Sequence, residues 1–356
     1  MRIVQIIDSL EIGGAERMAV NYANVLSEKI EFSGIISTRK EGPLLNQIDK
    51  NVAYLFLNKK NKIDIKAIFR LRKYIRQNKV DFIHAHSSSF FIAVLVKLTF
   101  PKIKIIWHDH YGSRSKESKK ENRVLIFMSF FFYSIFVVNL QLKEWSEKNM
   151  LCKRILFIPN FTLDRNEVQR TTILKGTEGK RIVFLANLKK PKNHISILKA
   201  FLNLKLHELD WSLHLIGKDY FDSYSDELKK VMKSNSLEEH IHIYGERSDV
   251  KNILSQASIG ILASTEEGFP VTLLEYGLAE LAVVCTNVGY CSSLIEEGTT
   301  GLLFDPYSEN EIESQLMKLV DNNNLRKKLG INFKQSVLEN YSEEMVIKKL
   351  ILAYKE

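Results

Sequence analysis

Three carboxylates, Glu266, Glu267 and Glu275, fall in the stretch Ser-Thr-Glu-Glu-Gly-Phe-Pro-Val-Thr-Leu-Leu-Glu that runs from Ser264 to Glu275. Before it, the apolar run Ile259 to Ala263 reads as a buried strand, so Glu266 and Glu267 lie in the loop at that strand's end. Pro270 suits the first helical position, where its missing N–H has no partner to lose, so the positive end of a helix faces the loop. Glu275 then lies in the second turn, ~7.5 Å along the axis from Pro270, with Val271, Leu273, Leu274 and Leu278 around it. A carboxylate near a helix N-terminus stabilises the macrodipole and needs no other role. One placed among leucines needs a partner or a purpose. The β-branched run Val283 to Thr286 reads as another buried strand, closed by Asn287 and the turn residue Gly289.

Other strand ends also carry polar groups that could do chemistry. Ile3 to Ile7 leads into Gly13 and Gly14, followed by Arg17. Adjacent glycines between a strand and a helix let backbone amides approach a phosphate or a sugar, although a plain tight turn fits as well, and the Gly-x-Gly-x-x-Gly spacing is missing. Arg181 to Leu185 runs into a loop from Ala186 to His194 that holds Asn187, Lys189, Lys190 and Lys192, a natural place for a diphosphate. Two His-x-His pairs, His84-Ala85-His86 and His108-Asp109-His110, close two more strands. Such pairs can ligate a metal or simply cap strands. No HExxH, CxxC or further ligand cluster completes a metal site.

The order strand, Ser-x-x-Glu-Gly-Phe-Pro, Leu-Glu, helix, strand, Asn-Val-Gly resembles the sugar-nucleotide signature of the family-4 retaining glycosyltransferases, the group 1 glycosyl transferases, which have the GT-B fold. The resemblance implies that Glu275 holds the ribose hydroxyls of a sugar nucleotide and that Glu267 faces the transferred sugar, in a loop completed by Gly268, Phe269, Pro270 and Gly289. By the same resemblance His110 lies beside that sugar, Lys192 contacts the diphosphate and Gly245 belongs to the base-binding loop. Gly13, Gly14 and Arg17, with His86, fall on the acceptor side. The chain departs from the family pattern at Glu280 and Ala282, where glycine and proline are common. It departs again at Tyr290, where a second glycine would leave the phosphate loop less crowded, and at Asn187, where an arginine is commonest in the phosphate clamp.

What the resemblance implies is transfer of a hexosyl or N-acetylhexosaminyl group from a UDP-sugar or GDP-sugar to a hydroxyl, with the α-linkage retained. Glu267 either orients the sugar or shields positive charge at its anomeric carbon, and helix N-termini with Lys192 stabilise the departing diphosphate. No Asp-x-Asp occurs in the chain, so the expectation is a metal-independent enzyme without a cofactor. A sugar-nucleotide epimerase, a phosphorylase or a non-catalytic binding module of the same fold are the competing readings.

At 356 residues, with 45% hydrophobic residues, the chain calls for about two folded domains. Short apolar runs alternate with longer amphipathic segments, the pattern of parallel strands and crossover helices. The expected architecture is α/β, GT-B, with two Rossmann-like domains whose parallel sheets face a central cleft. Residues 1–160 form an acceptor-binding domain, 161–180 a linker and 181–340 a sugar-nucleotide domain. Residues 341–356 form a helix with Val346, Ile347, Leu350, Ile351 and Tyr354 on one face, which in the family returns to the first domain. Ligands of such sheets sit beyond the carboxyl ends of the strands, where every motif above falls.

The net charge of +9 and a pI near 9.2 imply attraction to anions. From Lys59 to Lys79 nine cations accompany a single acid, Asp64, with Ile65, Ile68, Phe69, Leu71 and Ile75 at helical spacing. Arg114, Lys116, Lys119, Lys120 and Arg123 follow in a later loop. Either these are solvated faces or they bind an anionic membrane surface. The second reading places the protein in the cytoplasm, peripheral on the inner face of the membrane, extending a lipid-linked glycan for a surface polysaccharide. Nucleic acid is not expected, since the aromatics cluster in apolar runs away from the cations. Cys152, Cys285 and Cys291 form neither a paired framework nor a metal spacing. The longest uncharged run, Val124 to Leu140, is interrupted by Ser129, Tyr133, Ser134 and Asn139, and reads as a helix and then a strand rather than a membrane span.

Overall fold

The computed structural model describes residues 1–112, 114, 117–163 and 171–356. Lys116 and the middle of the expected linker lie outside the described residues. The chain forms two compact units: Met1–Phe161 together with Glu343–Glu356, and Thr162–Ser342.

In the first unit seven strands, β1 (Arg2–Ser9), β2 (Phe32–Lys40), β3 (Ala53–Phe56), β4 (Phe82–His86), β5 (Lys104–Asp109), β6 (Ser134–Val137) and β7 (Ile155–Phe157), form a parallel sheet in the order β3-β2-β1-β4-β5-β6-β7. The crossovers are made by α1 (Gly14–Ser27), α2 (Ile65–Gln77), α3 (Phe90–Thr99), α4 (Arg123–Met128) and α5 (Leu140–Asn149). β1 and β4 read as apolar runs because helices cover both faces, as in other all-parallel sheets. Polar side chains nonetheless lie fully buried in this sheet, among them Gln5, His84, His86, His108 and Asp109.

In the second unit β8 (Arg181–Leu185), β9 (Ser212–Ile216), β10 (Ile241–Gly245), β11 (Ile259–Leu262), β12 (Ala282–Thr286) and β13 (Leu302–Phe304) form a parallel sheet in the order β10-β9-β8-β11-β12-β13. Around it run α6 (His194–Asn203), α7 (Ser223–Ser234), α8 (Val250–Leu254), α9 (Val271–Leu278), α10 (Cys291–Leu294), α11 (Glu309–Asp321) and α12 (Asn323–Tyr341). Phe184, Phe201, Leu213, Ile261, Val284 and Leu316 fill its core. The strand order reverses direction at β1/β4 in one sheet and at β8/β11 in the other, which makes these the two switch points where ligands of doubly wound sheets collect.

The last helix, α13 (Glu343–Lys355), belongs to the first unit. It buries Val346, Ile347, Leu350 and Tyr354 there, and Arg154 Nη2 donates to the Ala353 carbonyl at 2.6 Å.

Several expectations need correction. Lys59 precedes α2 and is buried, so it is not a surface cation. Ile65 and Phe69 do not face the core: they are 64% and 55% exposed, and α2 packs through Ala67, Ile68, Leu71 and Ile75. Arg114 is not free either, since its Nε donates to buried Asp109 at 2.6 Å and its guanidinium lies over the Trp107 and Tyr111 rings. Pro270 stands one residue before α9, as its cap. Glu280, where glycine is common, takes φ +60°, a left-handed conformation that strains a residue with a Cβ.

Candidate functional site

In the second unit the loops after β8, β11 and β12 converge. The Thr265 amide donates to the Pro191 carbonyl at 2.9 Å, which ties the β11 loop to the β8 loop. Lys192, in a short turn after β8, then meets Glu267, with Nζ 2.5 Å from Oε1. The carboxylate is 9% exposed and the ammonium 23%, so the pair is largely shielded from water but open on one side. Gly289 closes the loop from below. Its φ is +64°, and a Cβ there would lie 2.0 Å from the Glu267 carbonyl oxygen, so only glycine allows this approach.

Glu275 is half-buried on α9, two turns on from Gly268 and Phe269. Phe269 is buried and stacks on Tyr290 at 5.1 Å, so it anchors the loop. Tyr290 has φ −87°, which needs no glycine, and its ring is taken up by this stacking. Asn187 Oδ1 accepts from the Lys218 amide at 2.9 Å, and Gly217 backs directly onto the Ala186 carbonyl. Gly245 ends β10 at φ +70°. Tyr244, Glu246, Arg247 and Asp249 beside it line a pocket with Thr171 and Thr172. Asp249 is subject to burial, which would raise its pKa, but bonds from the Thr172 amide and hydroxyl and the Thr171 amide hold it down to about 2.

In the first unit Gly13 caps α1 and Gly14 begins it, with the Glu16 carboxylate folded back over Gly13. Arg17 follows on the first turn, half-buried. The His-x-His pairs lie side by side because β4 and β5 are neighbours in parallel register, with His86 opposite His108. Their four rings form two hydrogen-bonded pairs in two layers. His86 Nδ1 is 2.9 Å from His110 Nε2, and His84 Nε2 is 3.1 Å from His108 Nδ1. His84 stacks on His86 at 4.5 Å and His108 on His110 at 4.2 Å. Gln5 Oε1 holds His86 Nε2 at 2.9 Å, and the Tyr354 hydroxyl of α13 holds His84 Nδ1 at 2.6 Å.

Burial first, and then the neighbouring imidazoles, keep His84, His86 and His108 well below the usual histidine range, and burial takes His110 down to about 3. One nitrogen each of His84, His86 and His108 lie within 4.8 Å of one another, near enough to be considered for a metal ion. In this structure those rings instead spend their nitrogens largely on each other, on Gln5 and on Tyr354. His110 is partly exposed, whereas His86, expected on the acceptor side, is fully buried beneath it.

Sequence reasoning missed Gln5, a lone polar residue in the apolar run of β1, and saw Tyr354 only as part of an apolar face. It also passed over Asp8 at the end of β1, which accepts from Ser88 Oγ at 2.6 Å and from the Thr38 hydroxyl of β2.

Two parallel doubly wound units with polar loops at both switch points define the class. Residues 12–162 match the family described as Glycosyltransferase Family 4, and residues 165–336 the family described as Glycosyl transferases group 1. The chain belongs to the family-4 glycosyltransferases of GT-B fold. The O-antigen biosynthesis glycosyltransferase WbnH of Escherichia coli is 23% identical over 339 residues, 95% of this chain and 96% of that one. The UDP-Gal:alpha-D-GlcNAc-diphosphoundecaprenol alpha-1,3-galactosyltransferase of Escherichia coli is 22% identical over 336 residues, 87% of this chain and 84% of that one. Among solved structures, Anabaena HepE in complex with UDP and glucose superposes with a TM-score of 0.84 at 14% identity, covering 100% of this chain and 99% of that one. This likeness establishes the fold.

Proposed function

We propose that the protein transfers a hexosyl or N-acetylhexosaminyl group, with retention of the α-linkage, from a UDP-sugar or GDP-sugar to a hydroxyl of a lipid-linked glycan in surface polysaccharide synthesis. The observation that carries this reading is the Lys192–Glu267 pair, held by the glycine-only contact of Gly289 at the start of the helix that bears Glu275. An incoming diphosphate competes for the Lys192 ammonium and draws it toward the leaving group, where charge develops as the sugar departs. Glu267, released from Lys192, then faces the sugar and offsets positive charge at the anomeric carbon. Glu275 accepts hydrogen bonds from the ribose, and the partly exposed His110 contacts the sugar. The proposal involves neither a metal nor a cofactor. Retention, the lipid-linked acceptor and the sugar type draw on the family and on relatives such as the O-antigen glycosyltransferase WbnH and the diphosphoundecaprenol-linked galactosyltransferase.

A membrane face fits the first unit. Exposed Ile63, Ile65 and Phe69 stand among Lys62, Lys66 and Arg70, and α4 adds exposed Val124 and Phe127, followed by Phe130, beside Lys120 and Arg123. Apolar side chains set among cations suit the boundary of an anionic bilayer better than open water. No helix among the described residues is long and apolar enough to cross a membrane. We infer from the exposed apolar and cationic side chains of the first unit that the protein works as a peripheral enzyme at the cytoplasmic face of a membrane.

The test incubates the protein with UDP- and GDP-sugars, with and without a diphosphoundecaprenol-linked sugar, in chelator. Acceptor-dependent release of nucleoside diphosphate and an α-linked product by NMR are expected. Epimerised sugar nucleotide without acceptor, a β-linked product, or activity that vanishes in chelator and returns with Mg²⁺ would each overturn the proposal.

A further inference from the structure

We propose that Gln5 is a positioning residue that acts through His86 to hold His110 in the tautomer with its proton on Nε2 and Nδ1 unprotonated. The fixed tautomer stands on geometry alone; its effect on turnover rests on the transfer proposed above.

Gln5 is fully buried in the middle of β1, where the neighbouring side chains are Val4 and Ile6. The oxygen of its amide, not the nitrogen, faces His86 Nε2 at 2.9 Å. A carbonyl oxygen only accepts, so His86 Nε2 carries a hydrogen. A neutral imidazole has one donor and one acceptor, which leaves His86 Nδ1 as an acceptor. The atom facing it at 2.9 Å is His110 Nε2, which must therefore donate. His110 Nδ1 is then an unprotonated nitrogen, and it has no hydrogen-bond partner among the described residues. The opposite tautomer would set two lone pairs against each other and leave a covered N–H without a partner.

The stack keeps the rings from turning. Tyr22 of α1 packs against His86 at 6.1 Å, and His108 covers His110 at 4.2 Å. The second layer is anchored on the Tyr354 hydroxyl, which itself lies against the Gln5 side chain. The stack thus holds a lone pair of fixed direction, rather than an N–H, at the covered Nδ1 position of His110.

The experiment is a two-bond 15N–1H correlation spectrum of the whole, histidine-labelled protein, with His86→Asn and His110→Asn used for assignment. Wild type is expected to show His110 protonated at Nε2 and unprotonated at Nδ1; a proton on Nδ1 overturns the proposal. Gln5→Met, close in volume, removes the anchoring oxygen. It is expected to mix the two tautomers and lower kcat about tenfold with little change in the KM for the sugar nucleotide, about one hydrogen bond's worth. A His110 spectrum unchanged by Gln5→Met would refute the role of Gln5. Should Gln5→Met fail to fold, the wild-type spectrum still decides. The predicted tautomer in a protein that releases no nucleoside diphosphate from any sugar nucleotide would sink the transfer reading and leave the inference about Gln5 standing.

Discussion

Acid should weaken both units well before their carboxylates are protonated. His110 in the first unit, and His194 and His214 in the second, are pushed to about 3, in each case chiefly by burial. His194 lies stacked 4.3 Å from Phe184, and His214 is held by Ser212 Oγ at 2.9 Å and by the Tyr244 hydroxyl at 3.1 Å. These rings are neutral in the native state, while the unfolded chain binds a proton below its ordinary value near 6.5. Their full contribution is therefore present above that value and is lost as pH falls toward the folded value near 3. Between about pH 7 and about pH 5 each ring subtracts roughly 2 kcal/mol, against a typical domain stability of ~5–15 kcal/mol. His84, His86 and His108 act in the same direction in the first unit. Asp249, held near 2, loses its contribution only at lower pH and leaves this window clean. Urea titrations followed by circular dichroism at several pH values measure the effect. A stability that stays flat from neutral pH to about pH 5 would refute the picture of buried neutral imidazoles.

Gly289→Ala should lower the melting temperature of the second unit and abolish turnover, since the left-handed backbone alone costs ~1–2 kcal/mol and the new Cβ displaces the Glu267 backbone; normal melting and turnover would contradict that contact. Ending the chain at Asn340 removes Val346, Ile347, Leu350 and Tyr354 from the first unit, a loss on the order of 5–10 kcal/mol of apolar burial. Proteolysis should then digest the first unit, and a resistant, active fragment would show that α13 is dispensable. Wild type should sediment with anionic but not neutral vesicles, and less so in high salt; Lys60, Lys62 and Lys66 all changed to Glu should weaken this, with ~1 kcal/mol at stake per residue. Binding indifferent to salt and to these changes would argue against an electrostatic face.

Much of the sheet architecture can be read directly from the chain, because strands buried on both faces are apolar runs that end where polar loops begin. Val283 to Thr286 and Ile135 to Val138 announce themselves in this way. The carboxylates of the β11 loop and Lys192 are legible for a related reason: they sit at strand ends, where a parallel sheet leaves its ligands. What spacing does not carry is which neighbour a side chain finds across the sheet. Gln5 and His86 are 81 residues apart, and nothing local in β1 tells that the polar residue inside its apolar run anchors a histidine of β4. The same limit explains Arg114, which counts as a surface cation until Asp109 is seen beneath it. On α2, helical periodicity groups Ile65 and Phe69 with Ile68 and Leu71, yet the short helix rotates only the latter pair onto the core.

The central claim is that Glu267 and Glu275 divide the work on one sugar nucleotide, and kinetics of two variants test it most directly. Wild type, Glu267→Gln and Glu275→Ala are compared for sugar-nucleotide affinity by calorimetry and for kcat with a lipid-linked acceptor. Glu267→Gln is predicted to bind the sugar nucleotide within a few-fold of wild type but to turn over at least about a hundredfold more slowly, because its charge matters only as the sugar departs. Glu275→Ala is predicted to weaken binding by ~1.5–3 kcal/mol through loss of a charged acceptor for the ribose. Equal affinity in wild type and Glu275→Ala, or full turnover in Glu267→Gln, would contradict the account.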